Sequence, residues 1–162
     1  MRYHSPQQIL ELSNRPFRVF IHLAKPKSVK EAALSRDQQP DQIIRTILFR
    51  KEQNEFIVVL APGDKQISWS NLRAELHLRR ITTATRDEVI LMTGYKPGTV
   101  SPLGLPPDLP VYYDRSILMK KEISIGSGEM NKALILDAQD LLALLPYAIP
   151  LDLDDNTDTS AL

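Results

Sequence analysis

Two β-branched apolar runs separated by a short polar stretch constrain this chain more than any other feature. Residues 43–49 (Ile-Ile-Arg-Thr-Ile-Leu-Phe) and 56–60 (Phe-Ile-Val-Val-Leu) both favour strands. The polar loop 51–55 between them is too short for the crossover that parallel neighbours need. The two runs are therefore expected to pair as a hairpin. Further strand signals fall at 17–22, 80–83, 111–113, 122–125 and 134–136. In the first of these, alternation puts Phe17, Val19 and Ile21 on one face and Arg18, Phe20 and His22 on the other.

Helical signals lie between the strands. Ser5-Pro6 opens 6–12, and Ser28 with Glu31 forms a capping box for a helix through Leu34. Helical spacing covers 68–78 and 86–92, the latter closed by Gly94, and a helical turn is expected at 114–119. Asp137 N-caps a last helix that Pro146 stops. Short connections between strands and no repeat predict an α+β fold: one compact domain over residues 1–150, with a mixed, largely antiparallel sheet flanked by short helices. A chain of 162 residues, 43% of them hydrophobic, can bury roughly 70% of its unfolded surface in a single core.

Composition removes several chemistries. Without cysteine there is no disulfide, thiolate nucleophile or Cys-ligated metal. The histidines at 4, 22 and 77 share no ligand or triad spacing, and no Gly-x-Ser-x-Gly elbow occurs. No metal or cofactor is expected. No apolar run is long enough to span a membrane and the N-terminus carries no leader-like stretch, so a soluble, unprocessed, cytoplasmic protein is expected. The 20 basic and 20 acidic residues cancel, but Asp152, Asp154, Asp155 and Asp158 crowd a polar terminus. Residues 151–162 read as a disordered acidic tail, leaving a body of +4 that is compatible with a nucleic-acid contact without requiring one.

Five of the six glycines, at 94, 98, 104, 126 and 128, lie in one stretch of the chain. The bends Gly98-Thr99-Val100-Ser101-Pro102 and Gly126-Ser127-Gly128 either present backbone amides to an anion or developing oxyanion, or are simply tight connections. Arg45 is a permanent cation in an apolar strand. It either waits in a cleft for a phosphate or carboxylate, or lies exposed or paired with a structural carboxylate. His22, ending its strand, is either a ligand contact or an ordinary strand-end histidine.

An ordered series of motifs resembles the YbaK/ProX-type aminoacyl-tRNA deacylases, relatives of the editing insertion of bacterial prolyl-tRNA synthetases. It comprises Pro16-Phe17, Glu31-Ala32-Ala33, the run 42–48, and Thr93-Gly94-Tyr95-x-x-Gly98-x-x-Ser101-Pro102-Leu103-Gly104. Leu109-Pro110-Val111-x-x-Asp114, Gly126-Ser127-Gly128 and Asp140-Leu141-Leu142 complete it. Within it, Gly98-x-x-x-Pro102 coincides with that family's glycine-x-x-x-proline loop. The resemblance implies a free-standing, metal-independent hydrolase that cleaves the ester between a mistaken amino acid and the terminal adenosine of a tRNA. Its implied partners are the mischarged acceptor end and an aminoacyl-tRNA synthetase. Arg45, Gly98 and Ser101 would take the catalytic positions. His22, Thr46, Gly94, Thr99, Val100, Pro102, Gly126, Ser127 and Gly128 would contact substrate. Two positions depart from the family. Well-known members carry Lys where this chain has Arg45, and a guanidinium cannot serve as a general base near neutrality. The hairpin 129–133 also lacks the acidic residue some relatives present to the pocket. The alternatives are a non-catalytic module of the same fold that holds a tRNA end or small ligand, and an unrelated domain in which the loops only connect elements.

Overall fold

The computed structural model describes residues 4–153. Its helices are α1 (Pro6–Ser13), α2 (Val29–Ser35), α3 (Trp69–Leu76), α4 (Arg86–Thr93) and α5 (Ala138–Ala143). Its strands are β1 (Phe17–Ile21), β2 (Ile44–Lys51), β3 (Phe56–Pro62), β4 (Ile81–Thr83), β5 (Val111–Asp114), β6 (Glu122–Gly126), β7 (Lys132–Asp137) and β8 (Ile149–Leu151). The expected hairpin forms, with β2 antiparallel to β3 in a register that sets Arg45 opposite Ala61. The α+β class is as expected, but the strands divide between two sheets rather than one. An antiparallel sheet runs in the order β1-β7-β6. A mixed sheet runs β4-β2-β3-β5-β8, in which β5 joins β3 and β8 by parallel pairing. A parallel bridge between Ile43 and Ser124 links the two.

Alternation along β2 and β3 explains the layering. Ile44, Leu48, Val58 and Leu60 point into the main core between the sheets, with Ile123, Ile125, Leu134 and Leu136 facing them. Phe49, Ile57 and Val59 point the other way, onto Leu72 of α3 and onto Leu151 and Leu153. Arg45 therefore shares a face with Ile47 and Phe49, opposite that of Ile44 and Thr46.

Helix ends follow their caps. Ser5 and Thr85 form capping boxes with Gln8 and Glu88, and Ser28 accepts the Glu31 N–H. α3 stops at Leu76, two residues short of expectation, because His77 takes a left-handed conformation with φ 55°. The glycine- and proline-rich segment 94–110 has no regular structure yet is ordered by burial: Tyr95 and Leu103 are both 2% exposed, and the Tyr95 hydroxyl donates to the Leu103 carbonyl.

The structure decides one point that alternation left open and corrects one boundary. In β1 Phe17 packs against the main core while Val19 and Ile21 turn outward, Ile21 being 66% exposed, and His22 is buried with its imidazole edge-on to Phe20 at 4.9 Å. Arg36 reaches over to hydrogen-bond that imidazole. The folded body also continues past position 150. Leu151 pairs with Asp114 in β8, and Leu153 is 1% exposed. The remainder of the expected tail, 154–162, lies outside the described residues.

Candidate functional site

A cleft of about 810 Å³ opens between the two sheets. Residues 43–47, at the start of β2, form one wall. The loop 96–100 and the hairpin 125–133 form another, and His22, Lys25, Arg36, Arg86 and Ile90 complete the lining. Its position follows from local contacts. Gln42 donates through its side chain to the Glu122 carbonyl at 2.9 Å, tying the 3-10 turn Pro40–Gln42 to β6. The Gly128 N–H donates to the Thr99 carbonyl at 2.8 Å, locking the two glycine bends together.

The bends use their glycines differently. At Gly126 a Cβ would meet the Val100 carbonyl oxygen at 2.1 Å, so glycine is required there by close approach. Gly98 has φ +85° and nothing within 4 Å of a built Cβ, so its demand is conformational and its surroundings are open. Thr99 donates both its N–H and its hydroxyl to the Lys96 carbonyl, at 3.0 and 2.7 Å. Among the described residues the N–H groups of Gly98 and Val100 have no protein acceptor, and both residues line the cleft.

Of the residues singled out in the sequence, His22, Arg45, Thr46, Gly98, Val100 and Gly126 line the cleft together. The others do not. Gly94 is the left-handed cap of α4 with φ 76°. Ser101, expected at a catalytic position, is fully buried outside the cleft lining, and its hydroxyl accepts the Leu103 N–H at 3.2 Å within the turn. Pro102 faces an apolar recess with Ile9 and Leu145. Ser127, 3% exposed, donates to the Lys132 carbonyl at 2.8 Å and so closes its own hairpin. Thr99 and Gly128 spend their N–H groups on the Lys96 and Thr99 carbonyls. Of the amides expected to line the pocket, those of Gly98 and Val100 remain available; those of Thr99 and Gly128 do not.

Arg45 borders two cavities. It lines the cleft and also a second recess of about 530 Å³ on the α3 side of β2, with Asp64, Gln66 and Trp69. Its Nη2 donates to the Lys65 carbonyl at 2.6 Å, while its buried Nε has no partner among the described residues. Burial lowers its pKa and the nearby Asp64 carboxylate opposes that, leaving the guanidinium a cation throughout the physiological range. Thr46, on the cleft side, carries a buried hydroxyl without a partner among the described residues.

Sequence reasoning missed Arg36, Lys25, Arg86, Lys96 and Lys132 as cleft residues. A basic residue just past a helix, as Arg36 is, reads only as a favourable dipole neighbour. Its Nε donates to His22 Nε2 at 3.0 Å and its Nη1 to Ser124 Oγ at 2.8 Å, contacts made across the fold. Burial and the Arg36 charge lower the His22 pKa below the ordinary 6.5, with Glu31 opposing, which keeps Nε2 an acceptor at neutral pH. Glu129 is the one carboxylate among the described residues lining the cleft, and Lys132 holds it at 2.7 Å, so the expectation that the hairpin 129–133 presents no acidic residue to the pocket is corrected.

The aminoacyl-tRNA editing domain profile matches residues 25–144, and the chain belongs to that family. Proline–tRNA ligase of Bacillus subtilis strain 168 is 28% identical over 109 residues, covering 67% of this chain and 19% of the ligase. That of Staphylococcus aureus strain JH1 is 27% identical over 132 residues, covering 82% of this chain and 22% of the ligase. The chain thus spans about a fifth of the length of these ligases. Among solved structures, a candidate trans-editing enzyme for prolyl-tRNA synthetase superposes with a TM-score of 0.79 at 25% identity, covering 94% of this chain and 99% of that one. A hypothetical protein superposes at 0.80 with 23% identity over 92% of this chain and 98% of that one, which speaks to the fold alone.

Proposed function

We propose that this protein is a free-standing hydrolase that removes the amino acid from mischarged tRNA by cleaving the ester at the terminal adenosine, acting in the cytoplasm where translation occurs. The observation that carries the reading is the pairing of open amides at Gly98 and Val100 with the cationic wall of the same cleft, in a chain of the editing family.

An aminoacyl ester is already activated, so positioning and charge stabilisation suffice without a protein nucleophile. Water adds to the ester carbonyl carbon. The oxyanion that forms is held by the Gly98 and Val100 N–H groups. Collapse breaks the bond to the ribose oxygen, which takes up a proton as the amino acid leaves as a carboxylate, and the neighbouring ribose hydroxyl is placed to assist. Arg45 orients the nucleotide end as a fixed cation and cannot shuttle the proton. Thr46 and Gly126 shape the wall against which the acyl group rests. The likeness to a candidate trans-editing enzyme for prolyl-tRNA synthetase makes mischarged tRNA for proline the first substrate to try, with a prolyl-tRNA synthetase as a partner.

The test is a panel of labelled mischarged tRNAs incubated with the wild-type protein, Arg45→Ala and Gly98→Ala. Enzyme-dependent ester loss is expected, with each folded variant slower by about tenfold or more: Arg45→Ala removes the cation that orients the nucleotide end, and Gly98→Ala, which keeps its N–H, re-aims the loop by disfavouring φ +85°. tRNA binding without amino-acid release would replace this reading with the non-catalytic module.

A further inference from the structure

The cleft contains a guanidinium that the chemistry above leaves idle. Arg15 pairs with Asp140 at 2.7 Å, Arg50 with Glu88 at 3.1 Å and Arg115 with Asp152 at 3.0 Å. Half-buried Arg36 has no carboxylate partner among the described residues. It is held from behind by two neutral acceptors instead, His22 Nε2 and Ser124 Oγ, the latter on a fully buried side chain. Burial lowers its pKa and no neighbouring carboxylate opposes this.

Neutral anchors fix the orientation of the fork without neutralising its charge. Nε and Nη1 each give one N–H to them, leaving three of the five donors. Nη2 has no partner among the described residues and is not one of the buried unpartnered atoms, so it keeps solvent contact, and Arg36 lines the open cleft. The same cleft is lined by Lys25, Arg45, Arg86, Lys96 and Lys132, and its one carboxylate among the described residues already serves Lys132. A partly desolvated cation among like charges is unfavourable until an anion arrives, and a planar guanidinium fork suits two oxygens of one group.

We propose that Arg36 is an oxyanion-binding residue of the cleft, taking two oxygens of a phosphate or carboxylate through the N–H groups that His22 and Ser124 leave free. The binding site stands on this geometry. Its biological source rests on the editing reading, under which the oxyanion is either a phosphodiester of the acceptor end or a side-chain carboxylate on the amino acid being removed.

The test titrates the full-length protein with inorganic phosphate, AMP and acetate while following the arginine side-chain N–H signals by NMR. Arg36 is assigned by comparison with Arg36→Lys. Its signal is expected to move on addition of at least one of the three, and Arg36→Gln to weaken that binding by about tenfold, the value of one charge-assisted contact. Arg36→Lys keeps the charge and cannot make both anchor bonds and the fork, so it is expected to weaken binding as well and stands in if the Gln variant does not fold. Tighter AMP identifies the phosphodiester source, and tighter acetate the carboxylate source. An Arg36 signal unmoved by all three, or unchanged binding in both variants, overturns the proposal. Ester hydrolysis is measured in parallel on the same samples. Hydrolysis with a silent Arg36 removes this inference alone, and oxyanion binding without hydrolysis removes the enzymatic reading alone.

Discussion

Alanine at position 126 would place its Cβ 2.1 Å from the Val100 carbonyl oxygen, and neither backbone can yield without parting the bends. Gly126→Ala is expected to destabilise the protein by about 1–3 kcal/mol or more, read as a lowered denaturation midpoint. Gly98→Ala meets no atom and costs only the left-handed φ, about 1–2 kcal/mol, so it should fold and serve as the cleaner probe of the amide loop. His22 gives a pH prediction. Its folded pKa lies below its unfolded value, so as pH falls through about 6.5 the unfolded chain takes up a proton that the folded one refuses. Stability is expected to decline from there downward and to level off below the folded pKa. Denaturation midpoints across that range check the decline, and it should disappear in His22→Gln. At this scale the sequence exposed Arg45, because a cation in an apolar run is visible in one dimension. Arg36 stayed hidden, because its meaning comes from His22 and Ser124, residues 14 and 88 positions away.

Among the elements, α4 matters because it delivers the chain to the amide loop. Thr85 accepts the Glu88 N–H while the Glu88 side chain accepts the Thr85 N–H, and Gly94 ends the helix with φ 76°. Thr85→Ala is expected to cost about 1 kcal/mol, measured by denaturation. Breaking the Arg50–Glu88 pair should matter less, because both partners keep solvent contact. Caps, breakers and the β2–β3 hairpin were legible because they are written in neighbouring residues. The outward turn of Val19 and Ile21 in β1 was not: alternation shows that two faces differ, but which residues face inward depends on what packs there. β8 escaped notice because three residues containing a proline carry almost no strand signal, and parallel pairing to β5 supplies what the local sequence lacks.

For the whole molecule, the distribution of charge predicts more than its sum. Net charge is zero, yet among the described residues six basic side chains and one acidic one line a single cleft. Binding of the tRNA acceptor end is therefore expected to weaken steeply with salt, with a log–log slope set by the number of phosphates contacted and reduced in Arg45→Ala. The second core predicts that Leu151→Ala and Leu153→Ala each cost about 2–5 kcal/mol in chemical denaturation, since both leucines are at most 3% exposed. A disordered tail beginning at position 151 would have predicted no change.

The sequence by itself determined the α+β class, the hairpin, the helix caps and the two glycine bends, because hydrophobic period, capping and positive φ act over a few residues. Motif order added the editing family. Only the tertiary structure decided that the strands form two sheets with a cleft between them. It also decided that Ser101 and Ser127 turn inward to close their own loops, and that Arg36 is held by neutral groups at the cleft. Those outcomes depend on which distant atoms come to share a buried space, where desolvation and hydrogen-bond geometry choose among side chains that look equivalent along the chain.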